Sequence, residues 1–261
     1  MPDGKEIDDA IASAVFFPRP DAPFGPPAAG AFDQLFERAD GVRLRLRVHP
    51  AGPDDACILF FHGNGETALD YDFAAAEYNR LPAWLVVAEY RGYGPCTGRP
   101  SVHSFLPDAH AALDELCALL ARRGHRGPRL VMGRSLGSAP AIELASARAT
   151  ELDALIVESG FARIVPLLEL CGVPAGDLGL TEDWGPRNLA KMKTVRLPSL
   201  VMHAEQDQII PFAEGQMLFD ACQAELKLFF PVAGAGHNDI HLRAGAAYFE
   251  QIAALLGRLR A

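Results

Sequence analysis

Short, uninterrupted runs of apolar residues recur along the chain and predict buried β-strands. A strand that is apolar on both faces is typical of a sheet that helices cover on both sides. The predicted buried strands are Cys57–Phe61, Trp84–Ala88, Leu130–Met132, Leu152–Val157 and Ser199–His203, and Leu226–Phe230 is predicted as a further strand.

The segments between these strands carry the spacing of amphipathic helices. From Val102 to Arg123 apolar residues recur every three or four positions, and Gly124 ends the pattern. The other predicted helices are residues 66–80, the small-residue segment after Ser135, Pro211–Cys222 and Ile240–Arg260. Strands that alternate with helices predict an α/β fold with a mostly parallel central sheet and helices on both faces.

An alternating pattern near the N-terminus predicts an antiparallel hairpin ahead of this sheet. Between Phe32 and His49, valine and leucine alternate with arginine from Val42 to Val48, and Asp40-Gly41 supplies the turn. We interpret the arginines at positions 43, 45 and 47 as a solvated strand face, and an anion-binding site is the alternative.

Two further segments do not have the pattern of a regular connection. Residues 1–31 are rich in proline, which predicts an irregular lead segment anchored by Ile11, Phe16 and Phe17. Residues 161–197 are too numerous and too apolar for a simple link between strands, and we predict a small apolar cap over the sheet edge. No repeat or linker divides residues 1–261, so we expect a single domain.

The composition changes this picture mainly by exclusion. Of the 261 residues 49% are hydrophobic and 22% are charged, as in ordinary globular proteins. The formal net charge of -9, with no basic cluster, disfavours nucleic acid and anionic membranes as partners. Neither a signal-peptide pattern nor a run of about 18 apolar residues is found, so we expect no secretion and no integral membrane association.

The cysteines bear on the redox environment. There are five, an odd number, and they are widely spaced without a Cys-x-x-Cys pair. This pattern disfavours a disulfide framework or a zinc site. We therefore expect a cytoplasmic protein, while nothing in the sequence indicates its oligomeric state.

The segment Gly133-Arg134-Ser135-Leu136-Gly137 has the form of a nucleophile elbow. It lies between a predicted strand and a predicted helix, where a sharp turn presents a serine hydroxyl above the sheet. Such a turn strains the serine backbone, and the flanking glycines avoid collisions with the neighbouring strand and helix. Ser135 is the predicted nucleophile.

A serine hydroxyl needs a positioned base, and that base needs an acid to orient it. Sites in open α/β sheets form at the carboxyl ends of strands. His237, in a glycine-rich loop after the last predicted strand, is the predicted base in preference to His62 and His241. Asp207, which follows the strand Ser199–His203, is the predicted acid, and Glu158 is the competing carboxylate.

Two backbone N–H groups are candidates for an oxyanion hole. The N–H of Leu136 follows the nucleophile at the start of a predicted helix, where unpaired donors favour an anion. The second donor is predicted at Asn64, within His62-Gly63-Asn64-Gly65, and an ordinary tight turn is the alternative for that loop.

No metal or cofactor site is predicted. His237 and His241 have the spacing of neighbours on one helix face, but no third ligand is spaced to complete a metal site. Gly92-x-Gly94 followed by Gly98 lacks the strand-helix context of a dinucleotide site.

Taken together, these motifs resemble those of the α/β-hydrolases. The resemblance spans about residues 32–260 and implies Ser135 as nucleophile, Asp207 as acid, His237 as base, and Asn64 and Leu136 as oxyanion donors. More narrowly, the sequence is similar to a small-cap group that includes protein depalmitoylases and lysolipid or monoacylglycerol hydrolases. The matching segments are 61–65 (Phe-His-Gly-Asn-Gly), 90–94 (Tyr-Arg-Gly-Tyr-Gly), 133–137, 207–211 and 236–239 (Gly-His-Asn-Asp).

The predicted function is that of a cofactor-independent serine hydrolase that cleaves a small-molecule acyl ester or thioester. The apolar cap suggests an acyl chain in the pocket. A serine peptidase or an acyltransferase with the same residues is an alternative, and a non-catalytic ligand-binding protein on the hydrolase fold is another.

Overall fold

One sheet organises the part of the chain that the computed structural model describes, residues 4–22 and 29–259. The strands are β1 (Phe32–Glu37), β2 (Arg43–His49), β3 (Ala56–Phe61), β4 (Ala83–Ala88), β5 (Arg129–Arg134), β6 (Ala154–Glu158), β7 (Ser199–Ala204) and β8 (Lys227–Val232). Their order is β1-β2-β4-β3-β5-β6-β7-β8. β1 pairs antiparallel with β2, and β2 with β4, whereas all other pairs are parallel. The predicted mostly parallel sheet with an N-terminal antiparallel hairpin is confirmed.

Helices cover both faces of this sheet. They are α1 (Gly4–Val15), α2 (Ala75–Arg80), α3 (Val102–Arg122), α4 (Ser138–Ala147), α5 (Ile164–Leu170), α6 (Asn188–Met192), α7 (Phe212–Ala221), α8 (Ile240–Ala244) and α9 (Ala246–Leu259). Alternate residues of β3 belong to two separate apolar clusters, with Leu59 in the cluster of α3 and α4 and Ile58 in the cluster of α2 and α9. The strand is therefore buried on both faces, as its uninterrupted apolar sequence predicts.

The register brings the carboxyl ends of the parallel strands to one edge. Phe61 at the end of β3 pairs with Ala88 and with Gly133. Further along the sheet, Arg134 pairs with Glu158. The predicted site residues lie in the loops after β3, β5, β7 and β8. Because these strands are parallel, their loops leave the sheet at the same edge.

The lead segment contains a helix, which corrects the prediction of an irregular segment. α1 spans Gly4–Val15, and Ile11 and Val15 are buried one helical turn apart. Pro2 comes before the helix in the sequence, and the next proline, Pro18, comes after it. The prolines therefore limit the length of α1 and do not prevent it. Residues 23–28, which include Pro23, Pro26 and Pro27, lie outside the described residues.

Two predicted helices are broken into shorter pieces. In place of one helix over 66–80, a 3-10 turn at Ala68–Tyr71 precedes α2. The Asp70 carboxylate accepts a hydrogen bond of 2.8 Å from the Thr67 N–H, which closes that turn separately. The predicted closing helix is interrupted at Gly245, whose φ of 54° is incompatible with a continuous right-handed helix. Arg260, its predicted end, lies outside the described residues.

The insert between β6 and β7 contains α5, a 3-10 turn at Glu182–Trp184, and α6. The Glu182 carboxylate accepts hydrogen bonds from the N–H groups of Ile164 and Val165, at 2.8 and 3.1 Å. These bonds satisfy donors that the first turn of a helix leaves unpaired, which holds α5 in place. Trp184 is thereby brought next to α5, at a cavity described below.

The arginine-rich strand β2 is buried, so the prediction of a solvated strand face is wrong for Arg45 and Arg47. Arg45 is 2% exposed and Arg47 is 7% exposed. The Arg45 guanidinium donates to Glu89 at 2.5 Å and to Asp21 at 2.7 Å. Both carboxylates lie outside β2. The guanidinium can be buried only because they pair with its charge.

We predict that Arg45→Met lowers the free energy of unfolding by about 3–5 kcal/mol, because it leaves the buried Glu89 carboxylate without its guanidinium. Arg43 lies on the same strand, is exposed, and provides the matched control. Arg43→Met is expected to change stability by less than about 0.5 kcal/mol. Urea unfolding of the two variants measures the difference, and equal losses would contradict the structural importance of the buried pair.

We predict that the stability of the fold depends on pH through Glu89, whose side chain is fully buried. Burial alone would raise the pKa of Glu89, but His62 and Arg45 outweigh it and hold the pKa below its usual value. A carboxyl with a lowered folded-state pKa stabilises the fold above its unfolded pKa, about 4.3 for Glu, and this stabilisation is lost as the pH falls through the folded pKa. The stability advantage of wild type over Glu89→Gln should therefore shrink on acidification from neutral pH. Urea unfolding at several pH values tests this, and a difference independent of pH would refute it.

Candidate active site

The elbow has the strained backbone that its sequence predicts. Ser135 has a φ of 53°, in the left-handed region that non-glycine residues seldom occupy. It follows the last residue of β5 and begins a 3-10 turn, Ser135–Gly137, that leads into α4. Ser135 is 8% exposed, so its hydroxyl lies in a recess of the protein.

The flanking glycines are required by close packing on both sides. A Cβ atom on Gly133 would lie 2.1 Å from the carbonyl oxygen of Gly137. A Cβ atom on Gly137 would lie 2.0 Å from the carbonyl oxygen of Phe61. Any side chain at these positions would collide with backbone, and the second contact also fixes the elbow against the loop after β3.

The structure brings Ser135, His237 and Asp207 into one hydrogen-bonded chain. Nε2 of His237 lies 2.9 Å from Oγ of Ser135, and Nδ1 lies 2.7 Å from Oδ2 of Asp207. With a proton on Nδ1 donated to Asp207, Nε2 is free to accept from the serine hydroxyl. The arrangement can therefore pass a proton from Ser135 to the imidazole.

The carboxylate of Asp207 is held by the backbone that follows it. Its Oδ1 accepts hydrogen bonds from the N–H groups of Ile209 and Ile210, at 2.9 and 2.7 Å. Burial raises the pKa of Asp207, but the hydrogen bond from His237 and these N–H groups lower it below its usual value. The group is thus ionised at neutral pH and can stabilise an imidazolium.

The competing histidines are engaged elsewhere. Nε2 of His62 lies 3.0 Å from Glu89, and its Nδ1 lies 2.8 Å from the carbonyl oxygen of Gly63. The ring of His241 packs edge-on against Tyr248, with ring centroids 5.1 Å apart. Within residues 4–22 and 29–259, His237 is the only histidine hydrogen-bonded to Ser135.

Glu158 has a local structural role. Its Oε2 accepts a hydrogen bond of 2.6 Å from the hydroxyl of Tyr248, and its Oε1 accepts one of 3.1 Å from Arg134. Glu158, the last residue of β6, is therefore bound to Tyr248 and Arg134, whereas Asp207 is the carboxylate that contacts His237.

The predicted oxyanion donors lie on two loops that touch. Leu136 follows Ser135, and the contact between Gly137 and Phe61 places the loop after β3 beside the elbow. The side chain of Asn64 is occupied, because Nδ2 donates to the carbonyl oxygen of Val15 at 2.5 Å. Among the described residues the backbone N–H of Asn64 makes no hydrogen bond. The roles of Asn64 and Leu136 as oxyanion donors stay predictions.

Arg134, beside the nucleophile, is a residue of the site that the sequence analysis missed. Its guanidinium is buried and donates to Glu158, to Glu66, and to the carbonyl oxygen of His237 at 3.1 Å. It also donates to Oδ1 of Asn238 at 3.2 Å. Arg134 thereby ties the loop that carries the imidazole to the strand that carries the serine.

The charge of Arg134 is maintained by the same partners. Burial by itself would lower the pKa of Arg134, but the carboxylates of Glu66 and Glu158 hold it above its usual value. The sequence did contain a signal for this role, because Arg134 is a charged residue at the end of a predicted buried strand. A charge in such a position is tolerated only when it is paired with partners of opposite charge.

An apolar cavity of about 280 Å³ lies next to the elbow. Leu136 and Ala139 line it on the elbow side. The remaining walls come from α1, the beginning of α3, and the insert between β6 and β7. Their lining residues are Ile11, Val15, Phe16, Val102, His103, Phe105, Leu106, Pro107, Phe161, Ile164, Leu168, Trp184, Gly185 and Pro186.

Three further observations concern metal binding, membrane spans and the cysteines. In residues 4–22 and 29–259, no group of three or more His, Cys, Asp and Glu side chains is arranged to hold a metal ion. None of the described helices has both the length and the apolar character needed to cross a membrane. The five cysteines are all free thiols.

Comparison with known proteins places these features in context. The family model Hydrolase_4, described as serine aminopeptidase S33, matches residues 52–176. Protein bem46 of Schizosaccharomyces pombe is 30% identical over 248 residues, which cover 88% of this chain and 79% of that protein.

A human relative and a solved structure agree with this match. The human alpha/beta hydrolase domain-containing protein 17B is 32% identical over 192 residues, which cover 71% of this chain and 61% of that protein. This chain thus spans about three fifths of the length of that relative. The esterase Pf2001 of Pyrococcus furiosus has a TM-score of 0.75 at 15% identity, covering 92% of this chain and 98% of that one, which shows a common fold.

We predict that Arg134→Met impairs both stability and catalysis. Removing the guanidinium leaves Glu66 and Glu158 uncompensated in a buried site, which should cost about 3–5 kcal/mol of unfolding free energy. Because Arg134 also holds the His237 loop, kcat on a small ester should fall more than KM rises. Urea unfolding and steady-state kinetics measure the two effects.

The matched control is Arg148→Met, at the far end of α4. Arg148 is partly exposed and pairs with Asp114 at 2.7 Å, so its removal should cost less than about 1 kcal/mol and leave kcat unchanged. Arg134→Lys keeps the charge but lacks the planar fork that bridges several acceptors, so it should restore activity only in part. Wild-type kcat and stability in Arg134→Met would show that the contacts of Arg134 do not hold the site.

Proposed function

Because this chain belongs to the α/β-hydrolase family, we propose that it cleaves carboxylic ester or thioester bonds through an acyl-enzyme on Ser135. The observation that carries the proposal is the hydrogen-bonded chain from Ser135 through His237 to Asp207. The residues of that chain supply a nucleophile, a base and an orienting acid, which are the groups that acyl transfer requires.

The first half of the proposed reaction forms the acyl-enzyme. Oγ of Ser135 attacks the acyl carbon while its proton passes to Nε2 of His237, and Asp207 stabilises the resulting imidazolium. The N–H groups of Leu136 and Asn64 hold the negative oxygen of the tetrahedral intermediate. When this intermediate collapses, the bond to the alcohol or thiol breaks and the imidazolium gives its proton to that leaving group.

The second half releases the acid. Water takes the place of the leaving group and loses a proton to Nε2 of His237 as it attacks the acyl carbon. The bond to Oγ of Ser135 then breaks, and the imidazolium returns the proton to the serine oxygen. A nucleophile other than water at this step would make the reaction an acyl transfer, and an amine leaving group would make it peptidase-like.

The apolar cavity beside Leu136 supports an acyl substrate. Apart from His103 and Trp184, the side chains that line it are hydrocarbon, and the lining begins at the residue that follows Ser135. An alkyl chain attached to the reacting carbonyl would lose its contact with water there, which favours binding. We propose that this cavity is the acyl pocket of the protein. The cytoplasmic location of the protein remains a prediction.

The proposal predicts that a fluorophosphonate labels Ser135 and that wild type hydrolyses p-nitrophenyl esters or acyl thioesters. Ser135→Ala should abolish labelling and lower kcat about 10⁵- to 10⁶-fold. Mass spectrometry of the labelled peptide and spectrophotometric rates measure these outcomes. An unlabelled, folded wild type that turns over no ester or thioester would refute the proposal, and turnover confined to amides would favour a peptidase.

Ser159 offers a matched control for Ser135. It also directly follows a strand, is buried, and has a positive φ of 47°, but it has no hydrogen bond to a histidine among the described residues. Ser159→Ala should therefore retain both labelling and turnover. Loss of labelling in this variant as well would mean that folding, and not the nucleophile, explains the result with Ser135→Ala.

A further inference from the structure

We propose that the N-terminal helix α1 is the wall of the acyl pocket that sets the longest acyl chain accepted. This inference rests on the proposed ester or thioester hydrolysis. It concerns a segment outside the sheet and outside the insert between β6 and β7, and it assigns α1 a role in substrate selection.

The first observation is that α1 presents its buried face to the cavity. Ile11 and Val15 of α1 line the cavity together with Phe16, the residue directly after the helix, and Ile11 is fully buried. Phe16 packs edge-on against Phe105 of α3, with ring centroids 5.3 Å apart. The volume of the cavity therefore depends directly on the side chains that α1 contributes.

The second observation is the chemistry of the lining. Among the side chains that line the cavity, His103 alone is ionisable, and its imidazole is 72% exposed and lies 2.7 Å from Asp8. Trp184 is the other lining side chain with a polar atom, so a hydroxylated or charged acyl group would lose its hydration with few partners to replace it. The pocket fits an unsubstituted alkyl chain.

The third observation is that α1 is fixed to the loop with the predicted oxyanion donor. Nδ2 of Asn64 donates to the carbonyl oxygen of Val15 at 2.5 Å, and its Oδ1 accepts from the N–H of Phe17 at 2.9 Å. The hydroxyl of Tyr93 donates to the same Oδ1 at 2.7 Å. The end of α1 therefore has a defined position relative to Ser135, as a wall that measures chain length must have.

The test changes the bulk of Ile11 in both directions and measures kcat/KM for p-nitrophenyl esters from acetyl to dodecanoyl. Ile11→Trp fills the cavity and should lower kcat/KM for the longest esters at least tenfold, with little change for acetate. Ile11→Ala enlarges the cavity and should shift the preference to longer chains. A hydrophobic pocket gains or loses about 10- to 200-fold per methylene, so both shifts are measurable.

Ser13→Trp is the matched control, because Ser13 lies on the exposed face of α1. It adds the same bulk to the same helix outside the cavity and should keep the wild-type chain-length profile. Thermal melting shows which variants are folded, and if Ile11→Trp fails to fold, Ile11→Ala decides. An unchanged profile in the folded Ile11 variants overturns the role of α1 while the hydrolase stands, whereas a wild type inactive on every ester and thioester overturns both proposals.

Discussion

The site depends on one buried guanidinium. Arg134 lies next to the nucleophile in the chain and binds the backbone of the loop that carries His237. The same group is neutralised by Glu66 and Glu158, from the loop after β3 and the end of β6. Because the planar fork satisfies several acceptors at once, the loops after β3 and β8 and the end of β6 converge on one strand end. Arg134 therefore helps to fix the distance between Ser135 and His237, because it binds the carbonyl oxygen of His237.

A second buried ionic group supports the other side of the site. Arg45 of β2 binds Glu89, and Glu89 also accepts a hydrogen bond of 3.1 Å from the N–H of Ala68 and lies 3.0 Å from His62. The loop after β3, where Asn64 lies, is therefore held from beneath by a carboxylate that must remain ionised. Burying these charges costs desolvation, and the contacts of Glu89 join β2, through Arg45, to the segment after β3, through Ala68.

Much of this could be predicted from the sequence because the relevant signals are local. Uninterrupted apolar runs predicted the buried strands, and the glycines around Ser135 predicted a strained turn that the φ of 53° shows. The burial of Arg45 and the bonds of Arg134 could not be predicted, since their partners lie far away in the chain and follow no period. α1 was missed because the prolines after it dominated the composition of the lead segment, although the spacing of Ile11 and Val15 suits a helix.

The attachment of α1 has a consequence for the dynamics of the molecule. α1 pairs with no strand, and its end is held by Asn64 and Tyr93 and by the apolar contacts of Ile11, Val15 and Phe16. Undocking of this helix would break no hydrogen bond between strands, so it requires less free energy than global unfolding. Hydrogen exchange in α1 would then be faster than in the central strands. The same opening would widen the mouth of the apolar cavity, through which the proposed acyl chain would enter and the acid product would leave.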